Sequence, residues 1–519
     1  MDYKINSLQT VDIFIEGICS STKDPYSIPI IGKITKENKI IHEIPGFYYG
    51  ENLWCVRFSE ACSGTYQYEI VAPEISNATN LFGEIYVEDG NHFLPQQLHT
   101  QKNRFILQDG SDIFLMGYEC DFLFSMFASP DGEMKTLLLI KKLKQAGFNK
   151  ITLNAYAYDL DWNLGRTQSN DYGPPYIELW NITEAGRKFN PNFFQNLDRL
   201  ISLLHENGIY VEMYYKVYNK MVPWPEKYSE EERQYIRMLT SRYQAFSNII
   251  WNFTKEGYFE KDKDYIYDCL NMIRSLDSYH HLCTIHDDLE YALNSKYEKT
   301  IDFLTLQQQG EMSHACLYYS LRSGKPVVNG EFGNECGPNG ILDTPAWKSY
   351  SPEDNARFAF QSVMAGAYIT YYYSYAAWDI IEYEHNPKGF RYFRNLKEFF
   401  ERYKFSRYHP APELCAWSGL CLMSNSLNAD GIMELLVYCE PKDERLYLLY
   451  WTGNVHLNPS FKKDIISVTK KGMFTNVESV IPPNDLIVSE EGCQKGSMVL
   501  ECSPIEPCIF IIQYKPERN

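Results

Sequence analysis

Eight short apolar segments, most of them followed by a helical pattern, fill the chain between about residue 105 and residue 405. Strands that alternate with helices pair in parallel, because the helix must carry the chain back across the sheet. The expected strands are Ile113 to Gly117, Asn149 to Tyr156, Gly208 to Tyr215 and Asn248 to Thr254, then His281 to His286, Asp302 to Gln307, Pro326 to Glu331 and Ala367 to Tyr373. The periodicity predicts helices over Met134 to Ala146, Phe193 to Asn207 and Asp264 to Leu276. Another helix starts at Ser229, which has capping-box spacing to Glu232, and another at Ser351 with Pro352 in its first turn. Eight such units predict a (β/α)8 barrel. The competing open doubly wound sheet lacks its phosphate-binding signature, since no GxGxxG follows any strand.

The flanks have a different texture. Residues 1–90 carry short alternating strands (Val11 to Ile15, Trp54 to Phe58, Thr65 to Val71, Gly83 to Val87) parted by turn residues, a pattern expected of an immunoglobulin-type β-sandwich. Residues 91–405 form the barrel. Residues 406–519 return to short strands, including Leu435 to Cys439 and Leu446 to Trp451, and are expected to form a second sandwich. A net charge of −18 argues against nucleic acid as partner, because phosphate binding runs on Lys and Arg. No run is long and apolar enough for a membrane span, and no signal core opens the chain, so the expected location is cytoplasmic. The 14 cysteines stand singly, as free thiols would in a reducing compartment. Aromatic residues make up 15%, with 41 Tyr, and carbohydrate sites are one place where aromatic faces are spent.

In a barrel of this kind chemistry sits at the carboxyl ends of the strands. NIIWNFTKE puts Glu256 just beyond strand four, and KPVVNGEFGNE puts Glu331 at the end of strand seven. These strands lie on opposite sides of a barrel mouth, so two long carboxylates can converge on one sugar ring. Glycoside hydrolysis with retention needs such a pair about 5–5.5 Å apart, one to protonate the leaving oxygen and one to attack the anomeric carbon. Other strand ends supply candidate substrate contacts: Asn154, Tyr156, Lys216, Asn219, His286, Gln309, Tyr373 and Trp378, with Gln307, Tyr158 and Asp379 beside them. The long connection from Asp159 to Arg187, with Trp162 and Trp180, is a candidate substrate wall. The cluster of His280, His281, His286, Asp287 and Asp288 is weighed as a metal site and set aside, since no other barrel histidine lies at a strand end. No cofactor is expected, and no GxSxG elbow supports a serine triad.

Several of these segments carry a resemblance. NIIW followed by Glu256 resembles the acid/base strand of the large clan of retaining (β/α)8 glycoside hydrolases, and KPVVNGEFG resembles its nucleophile strand. With PGFYYGENLWCVRF, GYECDFLF, NAYAYD, KVYNKMVPWP and TYYYSYAAWD, the chain is most similar to bacterial apiosidase-like and cellulase-like enzymes. The resemblance implies an immunoglobulin-like domain, a barrel and a C-terminal sandwich, with Glu256 as acid/base and Glu331 as nucleophile. The resemblance does not carry a substrate with it; the expected function is cleavage of plant-type oligosaccharides by double displacement. The alternative is a glycan-binding protein that keeps the scaffold without the activity. One departure stands out: where the clan has Asn before the acid/base, this chain has Lys255, whose side chain points either into the site or away from it.

Overall fold

The computed structural model describes residues 2–90, 93–159, 171–183, 186–287, 299–307, 312–337 and 349–410, and, in the C-terminal part, 435–439, 445–451, 455–457, 465–488, 498–500 and 506–514. Its centre is a parallel sheet of β1 (Met116–Glu119), β2 (Lys150–Asn154), β3 (Tyr210–Val217), β4 (Ile249–Lys255), β5 (Cys283–Thr284 and His286–Asp287), β6 (Leu304–Gln307), β7 (Val327–Glu331) and β8 (Tyr368–Tyr373). The first piece of β5 pairs with β4 and the second with β6, while β8 lies between β1 and β7. The two ends of the sheet are therefore the two pieces of one strand, parted only at Ile285, and the sheet closes into a TIM barrel.

Among the described residues the longer helices are α1 (Gly132–Gln145), α2 (Pro191–Glu206), α3 (Glu230–Tyr243), α4 (Lys263–Leu276), α5 (Ser313–Arg322), α6 (Pro352–Met364) and α7 (Phe390–Tyr403), and a short one, Leu123–Ala128, precedes α1. Their starts follow local chemistry. Ser229 accepts from the Glu232 amide at 3.2 Å, and Ser351 accepts from the Asp354 amide at 3.1 Å with Pro352 next in line. The Glu232 carboxylate reaches the Tyr228 amide at 2.7 Å instead of that of Ser229. Outward-facing strand residues such as Ile151, Leu153, Val211, Met213, Trp251 and Phe253 are fully buried in the core shared with these helices.

The inward face is the opposite in character. Alternate residues there read Gly117 and Glu119, Lys150, Thr152 and Asn154, Glu212 and Tyr214, Asn252, Thr284 and His286, Thr305, then Thr370 and Tyr372. Lys150 donates to Glu212, whose other oxygen accepts from Asn252 at 2.7 Å. Gly117 is needed for this crossing, because a Cβ there would come within 2.5 Å of the Lys150 stem and 2.8 Å of Thr370. A hairpin (Leu98–Gln101, Arg104–Leu107) closes the amino-terminal end, with Phe105 packed on Phe303 and Tyr368 at 5.1 and 4.8 Å between ring centroids.

Before the barrel, a five-stranded and a three-stranded sheet enclose their own core around Ile13, Ile34, Trp54, Val56 and Tyr66. Arg57 of that unit is buried against the barrel. It pairs with Asp12 at 2.6 Å and with Asp198 of α2 at 3.3 Å, and Arg242 of α3 grips Asp198 at 2.7 Å. After the barrel, a six-stranded and a three-stranded sheet follow, and Met473, Ile509 and Ile511 join the barrel's outer core. Among the described residues no helix is long and apolar enough to cross a membrane.

Candidate active site

The carboxyl ends of the strands gather two buried glutamates around one buried lysine. Glu256 follows β4 directly, and its backbone turns left-handed (φ 58°, ψ 49°), a conformation that non-glycine residues seldom adopt outside constrained sites. That turn aims the carboxylate at the mouth, where Asn219 donates to it at 2.8 Å and Gln307 at 3.5 Å. Glu331 ends β7 and is 7% exposed. Next to it Gly330 is forced, since a Cβ would stand 2.5 Å from Thr305 and 3.2 Å from the His286 ring.

Lys255 points inward. Its ammonium lies 2.8 Å from Glu119 and 2.8 and 2.6 Å from the two oxygens of Asp121, all three side chains being fully or almost fully buried. Thr152 donates to the far oxygen of Glu119. The ammonium also stands 5.4 and 5.8 Å from the ring centroids of Tyr372 and Tyr214. Lys220, paired with Asp159 at 3.0 Å, is a second buried cation close by.

Burial dominates the electrostatics. It pushes the Glu256 carboxyl up from its ordinary value, against the charges of Lys255 and Lys220. It pushes Glu331 up to about 8, a rise that Lys255 opposes, that Glu256 and Asp121 reinforce, and that the Tyr372 hydroxyl opposes. His286 is held neutral, first by burial and then by Lys255 and Lys150. Both its ring nitrogens are buried without a hydrogen-bond partner, as are both amide atoms of Asn154. Buried polar atoms are nearly always paired, so these four can hydrogen-bond to water or to a polar ligand.

Of the expected contacts, Asn219 touches Glu256, Lys255 joins the charge cluster, and His286 and Asn154 face inward near both. Three others are placed elsewhere. Tyr156 donates to Glu178 and packs edge-on against Trp180 and Phe193 in an aromatic cluster that includes Trp224. Lys216 is taken by Glu232 and by the Tyr265 hydroxyl at 2.6 Å, among α3 and α4. Tyr373 packs on Tyr375, and it is Tyr372 that faces Glu331. Trp378 is buried beyond β8. Gln309, Trp162 and Asp288 lie outside the described residues. The histidine cluster is dispersed: His281 pairs with Asp277 at 3.1 Å, while His286 faces the barrel interior. Glu119, Asp121, Tyr214 and Tyr372 were not among the expected site residues. Glu119 and Asp121 do stand at alternate positions in GYECD, whereas Tyr372 sits between two other tyrosines and carries no such mark.

A family model described as "Apiosidase-like, catalytic domain" matches residues 100–413, the barrel and its edges. The chain belongs to the apiosidase-like family. Its fold is similar to that of an inferred glycoside hydrolase from Bacteroides vulgatus ATCC 8482, at 17% identity over 98% of this chain and 100% of that one, with a TM-score of 0.73. A family 5 glycoside hydrolase from the same organism matches at 17% identity over 80% and 93% of the two chains, TM-score 0.57. Another glycoside hydrolase matches at 15% identity over 83% and 100%, TM-score 0.60. At such identities the likeness is one of fold. None of the curated proteins matches. Family and fold together make this apiosidase-like chain a glycoside hydrolase.

Proposed function

We propose that this enzyme cleaves O-glycosidic bonds of plant-type oligosaccharides by double displacement, with Glu331 as nucleophile and Glu256 as acid/base. The supporting observation is that two buried glutamates stand at the ends of β4 and β7, with the charge of Glu256 acting on Glu331 and that of Lys255 acting on both. In the first step the Glu331 carboxylate attacks the anomeric carbon while protonated Glu256 gives its proton to the leaving oxygen. A glycosyl ester on Glu331 results. Glu256, now charged, takes a proton from water, which attacks the same carbon, breaks the ester and returns Glu331 as carboxylate. Burial favours the protonated form of Glu256 that the first step uses, and the Asn219 amide holds the carboxyl in place. Asn154 and His286 are positioned to meet sugar hydroxyls. The sheets before and after the barrel are read as an immunoglobulin-like domain and a C-terminal sandwich that frame it.

A panel of pectic, xylan and glucan oligosaccharides and of nitrophenyl glycosides, with product analysis, tests the activity. Proton NMR of the first product reports the anomer, and retention is expected. An inverted first product would remove the double displacement. Binding of a glycan with no cleavage across the panel would instead make the chain a binding protein on a hydrolase scaffold.

A further inference from the structure

The two carboxyl oxygens of Glu256 have different surroundings. Both of its side-chain hydrogen bonds fall on Oε1, which accepts from the Asn219 amide at 2.8 Å and from the Gln307 amide at 3.5 Å. Oε2 takes none among the described residues, and it is not sealed from solvent. The donors come from two separate strands, Asn219 standing just beyond β3 and Gln307 ending β6. The left-handed turn at Glu256 brings Oε1 to both. The carbonyl oxygen of each amide is buried without a partner, so the one side-chain hydrogen bond that each makes is the one to Glu256.

We infer that Asn219 and Gln307 are positioning residues that assign the acid proton of Glu256 to Oε2, the oxygen that delivers it to the leaving sugar. The inference rests on Glu256 being the acid/base. A protonated carboxyl carries its hydrogen on either oxygen, and the bare oxygen is the better acceptor. Two N–H groups aimed at Oε1 therefore favour the form whose hydrogen is on Oε2. The first step moves that one proton from Oε2 to the glycosidic oxygen, which keeps the electron pair of the broken bond. Glu256 becomes a carboxylate, and hydrogen bonds to an ionised acceptor are the stronger kind. The two amides thus bind the carboxyl more tightly after transfer than before it, and only interactions that strengthen along the reaction speed it. In the competing arrangement an amide is turned over, its carbonyl oxygen faces Oε1, and the proton is held there. Removing such an amide would free the acid and speed departure of the sugar.

The test compares kcat/KM on an oligosaccharide that the enzyme cleaves with kcat/KM on a nitrophenyl glycoside of the same glycosyl unit. The oligosaccharide leaves with the Glu256 proton, whereas nitrophenolate leaves with little proton donation, so the ratio of the two isolates the acid step. Asn219→Leu and Gln307→Met keep roughly the size of each side chain without its N–H donors. Asn219→Leu is expected to lower the ratio about tenfold, the worth of one hydrogen bond, and Gln307→Met about threefold, since its contact is the longer. Both rates are read on one sample, so a smaller folded fraction cannot imitate the result. Asn219→Ala runs beside Asn219→Leu in case the larger side chain prevents folding. A ratio that stays level or rises at either position overturns the inference. Glu256→Gln tests the reading beneath it and should collapse the ratio. If the ratio survives that change, Glu256 is not the proton donor and the assignment of Oε2 falls with it.

Discussion

Two buried ion clusters hold this molecule together in different ways. At the junction of the N-terminal sheets and the barrel, Arg57 and Arg242 face Asp12 and Asp198, two positive charges against two negative. Burial alone would raise the Asp198 carboxyl, but the two guanidinium groups hold it below its ordinary value. In the barrel mouth Lys255 faces Glu119 and Asp121 and acts on Glu256 and Glu331, and Lys220 acts on Glu256, so acids outnumber cations. There burial prevails, and Glu119, Glu256 and Glu331 are all raised. A balanced cluster stabilises the fold. An unbalanced one stores carboxyls in the wrong state for water and the right state for proton transfer.

The largest expected effect breaks the unbalanced cluster. Glu331→Gln should lower kcat by at least about 10^3-fold while the thermal midpoint holds or rises, since an active-site nucleophile acts only in the chemical step. Enzyme assay beside calorimetry measures both, and a drop in both would place Glu331 among the structural acids. The balanced cluster should answer in reverse. Asp198→Ala leaves two buried guanidinium groups facing one acid and should cost about 3–5 kcal/mol of stability. Turnover per folded molecule should be unchanged, as titration of folded protein at low denaturant will show. Loss of turnover in fully folded Asp198→Ala would mean that the junction steers the site.

The fold was legible in the sequence because the outward faces of the barrel strands must be apolar to meet the helices. That alone makes segments such as Ile249 to Trp251 and Val327 to Val328 visible. The placement of Glu256 and Glu331 at strand ends was legible because they follow such segments directly. What was not legible is parity at the strand ends. In Tyr371, Tyr372 and Tyr373 no polarity contrast marks which ring turns inward, and the structure selects Tyr372. At the end of β3 a lysine that alternation would turn inward is drawn to Glu232 at the start of α3. Glu119 and Asp121 sat in GYECD, an apolar-looking strand whose alternate acids carry meaning only once Lys255 is known to face them. The direction of Lys255 could not be read because β4 turns over at its end, into the left-handed Glu256.

Proton control separates the two glutamates next. With a nitrophenyl glycoside, kcat/KM should climb with pH through about 8, where Glu331 ionises, and then level off. With an oligosaccharide, whose leaving oxygen needs the Glu256 proton, the profile should fall again as the last proton leaves the pair. Identical profiles for the two substrates would show that Glu256 is not the proton donor. Stability carries the opposite sign from that of a salt-bridged carboxylate. Glu331 ionises near its ordinary 4.5 when unfolded but only near 8 when folded, so the fold loses stability as pH rises between those values. The melting advantage of Glu331→Gln should therefore be absent in acid, grow through that window and be complete above it.

The smallest effect concerns the polar atoms with no partner. Asn154 is fully buried and neither its amide nitrogen nor its oxygen is hydrogen-bonded. A structural asparagine in that condition would be a defect of about 1–3 kcal/mol, whereas one that pairs with a sugar hydroxyl repays the cost on binding. Asn154→Ala should then leave the melting temperature unchanged or slightly higher, and lower kcat/KM by about tenfold, the worth of one hydrogen bond to substrate. The junction offers the control, because Arg57 pairs with Asp12 and Asp198 and donates to the Arg242 carbonyl at 2.9 Å. There truncation should lower the melting temperature without touching kcat/KM. If Asn154→Ala behaves like the junction, its unpaired amide belongs to the scaffold, and the sugar is held by His286 and its neighbours without it.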